Sequence, residues 1–236
     1  MNLAEKILQY NSNLEFIGKL PEGISMMNPF KENDEIKVIC ESFYRKFYSD
    51  NQKRFIMLGI NPGRLGAGAT GIPFTDTKRL TENCGLSGPA FSTYEPSSVF
   101  MYEMMEHCGG VKNFYDNIYV NSVFPLGFIK NVQGSKPVNY NYYDDKNLMN
   151  MLIPFIKKHI KEQIEICGEN DVVFCLGSGK NYQFLQKLND ESGFFKKVVP
   201  LEHPRYIMQY KLKLKKTCFD QYANAFHENN VFTPII

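Results

Sequence analysis

Four short apolar runs punctuate the chain, each ending in turn-forming residues. Residues 54–60 (RFIMLGI) stop at Asn61-Pro62-Gly63, and residues 117–123 (NIYVNSV) stop at Phe124-Pro125-Leu126-Gly127. Residues 171–176 (DVVFCL) lead into Gly177-Ser178-Gly179, and Lys197–Leu201 (KVVPL) runs up to His203-Pro204. The first and third are nearly continuous in apolar character, as strands buried on both faces are. Between the runs the period lengthens. Ile36, Cys40, Phe43 and Phe47 recur at helical spacing, residues 99–108 form a short Met-rich helix, and residues 144–167 read as a long amphipathic one. Pro154 interrupts the last, which predicts a kink or a split into two helices. Residues 180–188 and 215–227 are further helices. Strands alternating with helices imply βαβ units. The expected class is α/β: a three-layer α/β/α arrangement around a central, mostly parallel four-stranded sheet. Such sheets bind ligands outside the carboxyl ends of their strands, and the unusual loops of this chain all follow strand ends.

Composition narrows the class without naming a function. The 236 residues carry no internal repeat and no low-complexity linker, so one domain over 1–236 is expected. With 27 basic and 25 acidic residues the net charge is +2, so any nucleic-acid face must come from local clustering. The six cysteines show no C-x-x-C and no zinc-like spacing, which reads as free thiols in a reducing compartment. The N-terminus lacks a signal-peptide core, and no apolar run approaches the ~18 residues of a membrane span. A soluble, intracellular, cytoplasmic protein is expected, a monomer away from any membrane.

The loop after the first run carries the most information. Gly59-Ile60-Asn61-Pro62-Gly63-Arg64-Leu65-Gly66-Ala67-Gly68-Ala69-Thr70-Gly71-Ile72-Pro73-Phe74 is dense in glycine and proline, as a backbone held close to a ligand and bent sharply would be. One reading is a phosphate loop, since Gly66 to Gly71 spells G-x-G-x-x-G. That stretch starts well past the strand end and runs into Ile72-Pro73 instead of a helix, which weakens it.

The same loop resembles motif 1 of the uracil-DNA glycosylase superfamily, in the form used by its single-strand-selective monofunctional (SMUG) branch, G-M-N-P-G-x-x-G-x-x-x-T-G-x-P-F. The length is identical and Ile60 stands in place of Met. Tyr119 to Leu126 is similar to the family's second strand end, with Asn121 one position early and Ser122 in the family's register. His203-Pro204 resembles the start of motif 2, but Arg205-Tyr206-Ile207-Met208 replaces the usual continuation, as in a divergent subfamily.

The resemblance implies a monofunctional glycosylase acting on DNA that carries uracil or a related lesion, with neither metal nor cofactor. It places Phe74 against the face of a flipped base. Asn121, or else Ser122, reads the base edge; an amide offers donor and acceptor together, a hydroxyl one rotating group. His203 donates to the departing base and Asn61 positions the attacking water. Ile60 contributes backbone near the base, and Gly63 leaves room at C5 for substituents such as hydroxymethyl. Tyr206, Ile207 and Met208 read as a wedge for the gap in the duplex, with Arg205, Lys211 and Lys213 on phosphate. Lys215 and Lys216 extend that basic cluster. Asp76 reads as a helix cap. Glu202 either orients His203 or faces solvent. The rivals are a nucleotide-binding enzyme using the glycine loop and a non-catalytic binder of damaged DNA.

Overall fold

A computed structural model describes residues 1–232. In chain order the elements are α1 (Leu3–Asn13), β1 (Ile24–Met27), α2 (Pro29–Glu32), α3 (Asp34–Phe47), β2 (Phe55–Gly59), α4 (Ala67–Thr70), α5 (Thr77–Glu82), α6 (Pro96–His107), α7 (Val111–Asn117), β3 (Ile118–Ser122), β4 (Gly127–Lys130), β5 (Val138–Tyr140), α8 (Lys146–Cys167), β6 (Val172–Leu176), α9 (Lys180–Ser192), β7 (Lys197–Leu201), α10 (Pro204–Tyr210), a 3-10 turn at Leu212–Leu214, and α11 (Lys215–Glu228). The four apolar runs are β2, β3, β6 and β7. They form one sheet of order β3-β2-β6-β7 in which every pairing is parallel. The chain leaves central β2 for β3 on one side and later crosses to β6 and β7 on the other. Right-handed crossovers in opposite directions place helices on opposite faces and open a crevice at the reversal. In β2, Ile56, Met57 and Leu58 are fully buried, as a strand covered on both faces requires.

Two features depart from the sequence expectation. β1, β4 and β5 make a second, antiparallel sheet of order β1-β4-β5. Its strands have three or four residues, too short to show a period. Helix α8 runs unbroken through Pro154. Pro154 and Asn150, four residues earlier, both sit on the exposed face, so the carbonyl freed by the missing N–H is on the solvent side. At the other end of the chain Asn2 and Glu5 close a reciprocal capping box on α1, with bonds of 2.9 and 3.0 Å. All six cysteines are free thiols. Among the described residues no helix is long and apolar enough to cross a membrane.

Candidate active site

Because the four strands are parallel, the loops that follow them share one edge of the sheet. Those after β2, β3 and β7 close around a cavity of about 360 Å³. Ile60, Asn61, Gly63, Phe74, Ser122 and His203 line it, with Arg205, Tyr206 and Tyr210 at its α10 side. The residues singled out in three separate loops thus meet in one place, with the exceptions of Asn121, Ile207, Met208, Lys211 and Lys213.

The loop after β2 is held by its own backbone and by β5. Gly66 N–H and Gly68 N–H donate to Gly63 O at 3.1 and 2.9 Å, and Ala69 N–H and Thr70 N–H donate to Gly66 O at 2.8 and 3.0 Å. These amides are spent inside the loop, so the G-x-G-x-x-G stretch offers no cradle for phosphate. Asn61 is clamped at both ends of its amide. Nδ2 donates to Tyr140 O at 3.1 Å, and Oδ1 accepts from Tyr142 N–H at 3.1 Å. One lone pair of Oδ1 is left for a further partner.

Phe74 closes the loop with φ 52°, in the left-handed region that a bulky residue rarely adopts. Strain of this kind persists only where the surroundings enforce it. Thr70 Oγ1 donates to Thr75 O at 2.6 Å just beyond, and the Phe74 ring lies over Gly59. A Cβ on Gly59 would come within 3.0 Å of two ring carbons. Gly59→Ala is therefore expected to push the ring into the cavity and weaken substrate binding about tenfold while the fold persists, as steady-state kinetics and circular dichroism would register.

At the end of β3, strand alternation separates the two candidates for base recognition. Asn121 Nδ2 donates to Tyr119 Oη at 2.6 Å, and its Oδ1 accepts from Ser122 N–H at 2.8 Å. Both ends of its amide are thus held by protein groups, and it does not line the cavity. Ser122 sits opposite Gly59 in the β2–β3 register and does line it.

His203 follows β7 and caps α10. Its Nδ1 accepts from Arg205 N–H at 3.1 Å, which assigns the proton to Nε2. Desolvation and the Arg205 guanidinium push its pKa down to about 4, so the imidazole is neutral at physiological pH. The ring stands 5.7 Å from Phe74, centroid to centroid, at 50°. A Cβ added to Gly177, at φ 113°, would lie 4.0 Å from His203 Cβ, and Gly177 to Gly179 simply turn β6 into α9.

The wedge expectation changes. Ile207 is fully buried and Met208 packs against the core, whereas Tyr206 and Tyr210 are 47% and 66% exposed. Helical spacing puts 206 and 210 on one face and turns 207 inward. The two tyrosine rings sit 5.1 Å apart at the cavity's rim. Glu202 neither orients His203 nor stands free; it pairs with Lys211. Lys215 is paired with Glu103. Lys213 and Lys216 are exposed and enter no ion pair among the described residues.

Sequence reading missed one wall of the cavity. Glu95, Asn139, Asn141 and Tyr143 line it. Asn139 and Asn141 come from β5 and the turn after it, and the only signal was the unusual run Asn139-Tyr140-Asn141-Tyr142-Tyr143. Asn139 Oδ1 accepts from Arg64 N–H at 2.9 Å, leaving Nδ2 as a donor. Asp76 caps α5, accepting from Arg79 N–H at 2.8 Å, and its other oxygen accepts from Glu95 N–H at 2.8 Å. It is fully buried and serves structure.

A family model described as Uracil DNA glycosylase superfamily matches residues 45–227. The crystal structure of wild-type SMUG2 from Pedobacter heparinus is similar to this chain with a TM-score of 0.95 and 48% sequence identity, over 98% of this chain and 99% of that one. No curated protein matches the chain.

Proposed function

The chain belongs to the uracil DNA glycosylase superfamily, and from that premise we propose that it is a monofunctional glycosylase removing uracil, or a deaminated or oxidised relative of uracil, from DNA. The observation that carries this reading is the meeting of Asn61, Phe74, Ser122 and an uncharged His203 around one cavity.

The target base leaves the stack and enters the cavity. Phe74 stacks on its face, and the Ser122 hydroxyl bonds its polar edge. As the glycosidic bond lengthens, negative charge gathers on the base and positive charge on the sugar. The Nε2–H of His203 donates to the base oxygen that takes up the charge; a neutral donor suffices. Water then adds to C1′, its hydroxyl staying on the sugar and its proton going to the departing base. The sugar is already a strong electrophile, so the water needs orientation more than deprotonation, and the clamped Oδ1 of Asn61 supplies that. No lysine attacks the sugar, and the product is an abasic site. Tyr206 and Tyr210 take the place of the extruded base, while Arg205, Lys213 and Lys216 meet phosphate.

Reading by a hydroxyl leaves the pocket tolerant of several bases. Ser122→Ala is expected to lower kcat/KM for uracil about tenfold, one hydrogen bond's worth, in single-turnover assays. The reaction class is tested by incubating the protein, in chelator, with an oligonucleotide carrying one uracil and one carrying 5-hydroxymethyluracil. Chromatography should find the free base. Free nucleotide instead of free base, or strand breakage without alkali, would contradict a monofunctional hydrolase.

A further inference from the structure

Glu95 is the carboxyl of the cavity that the proposed chemistry leaves unused. It precedes Pro96 at the start of α6 and stands at the N-cap position, yet its side chain makes no capping bond. The carboxyl turns instead into the concave side of the glycine loop. A Cβ on Gly66 would lie 1.9 Å from Glu95 Oε2, and one on Gly63 would lie 3.2 Å from Oε1. The glycines at 63 and 66 are therefore what admits this side chain to the cavity wall. Its backbone is pinned from behind by Asp76, whose Oδ2 accepts from Glu95 N–H. Ser98 Oγ, 3.4 Å from Oε2, is the only protein hydrogen-bond partner of the carboxyl among the described residues, and no ion pair there holds it. Oε1 is left for whatever fills the cavity.

The surroundings favour an uncharged acid. Burial raises the Glu95 pKa to about 7, the Asp76 carboxylate adds to the rise, and Arg205 and the Ser98 hydroxyl oppose it. Asp76, at the start of α5, and Arg205, on α10, are the charged groups that act on it. His203 is already neutral far above its own pKa of about 4, so Glu95 is the cavity group whose charge changes near neutral pH. A protonated carboxyl is donor and acceptor together; an ionised one only accepts. The bases a glycosylase of this kind would hold are rich in carbonyl oxygens, which need donors, and they acquire negative charge as they leave.

We propose that Glu95 is a substrate-contacting residue that determines specificity, its protonated carboxyl donating from the Gly63 wall of the cavity to a carbonyl oxygen of the extruded base. The assignment rests on the glycosylase reading of this site. Ionisation removes the donor and sets a negative charge against a base becoming negative, so the rate falls as pH rises through about 7. Glutamine keeps a donor and an acceptor at every pH and imitates the acid.

The test is the pH dependence of single-turnover excision from a single-stranded oligonucleotide carrying one uracil, between about pH 6 and pH 8.5. Wild type, Glu95→Gln and Glu95→Ala are compared, with circular dichroism to confirm folding. The wild-type rate is expected to fall about tenfold, with its midpoint near 7. Glu95→Gln should match the acid-limb rate and stay flat, and Glu95→Ala should be flat and slow. An active wild type whose profile survives unchanged in Glu95→Gln overturns the assignment. So does a rate that rises through 7, since that gives the work to the carboxylate. A wild type that at no pH excises uracil, 5-hydroxymethyluracil or a deaminated purine from single- or double-stranded DNA brings down the glycosylase reading itself, and this inference with it.

Discussion

His203→Ala is expected to lower the excision rate about a hundredfold to a thousandfold, the usual cost of removing one donor aimed at developing charge. The loss should fall on kcat more than on KM, since the Nε2–H matters most when the base carries charge. The same residue caps α10 through Nδ1, and an alanine there also costs about 1 kcal/mol of stability. His203→Ser separates the two roles. A serine restores the cap acceptor but cannot reach the base, so thermal stability should recover while the rate does not. Titration adds an independent check. The folded pKa of His203, about 4, lies below the unfolded value of about 6.5. The unfolded chain takes up the proton first, so this contribution to stability is intact above about 6.5 and declines as pH falls toward 4. His159, pushed to about 4 mainly by burial, acts in the same direction. Denaturant midpoints at several pH values would record the slope.

Asn61→Ala is expected to cost about a hundredfold in kcat, the scale of misplacing a reacting group by an ångström. The amide does two things at once. Its Nδ2 bond to Tyr140 O and its Oδ1 bond from Tyr142 N–H tie the β2 loop to β5, and in the proposed mechanism the remaining lone pair of Oδ1 orients water. Alanine removes both, whereas binding through Phe74 and Ser122 survives, so KM should change little. Asn61→Asp is instructive because a carboxylate is a stronger base than an amide. It would keep the bond from Tyr142 but present an acceptor to the Tyr140 carbonyl, an unpaired contact that disfavours the present loop position. A drop in melting temperature accompanying any rate change in that variant would report the broken clamp.

The main sheet was legible because strands buried on both faces leave uninterrupted apolar runs, and because each run here ends in glycine or proline. β7 matches its predicted bounds, and β2, β3 and β6 shift by a residue at one end or both. The second sheet was not legible: β5 is three half-exposed or exposed residues with no period to read. Its consequence for the site was hidden with it, since Asn139 and Asn141 reach the cavity only through that sheet. Glu95 stayed hidden for another reason. A glutamate before a helix reads as an ordinary surface residue, and only the folded loop shows that Gly63 and Gly66 make room for its carboxyl. The wedge segment was legible only in part for the same reason. Hydrophobicity singled out Tyr206, Ile207 and Met208 together, but on a helix packed against the body of the protein the most apolar positions turn inward, so Tyr206 stays outside beside Tyr210, which the sequence reading did not name. The pair at 121 and 122 shows the limit of a register argument from sequence: neighbours on a strand face opposite ways, and the identity of the inward one is set by pairing.

The most direct test uses an end-labelled oligonucleotide carrying a single uracil, incubated without metal and then treated with alkali to cleave abasic sites. Wild type and His203→Ala run side by side under single-turnover conditions. A cut at the uracil position alone, slowed at least a hundredfold in the variant, is the predicted result. Cleavage by His203→Ala at the wild-type rate would contradict the role given to the neutral imidazole. No cleavage by either protein, on single- or double-stranded DNA carrying uracil, 5-hydroxymethyluracil or a deaminated purine, would contradict catalysis altogether and leave a protein that only binds damaged DNA.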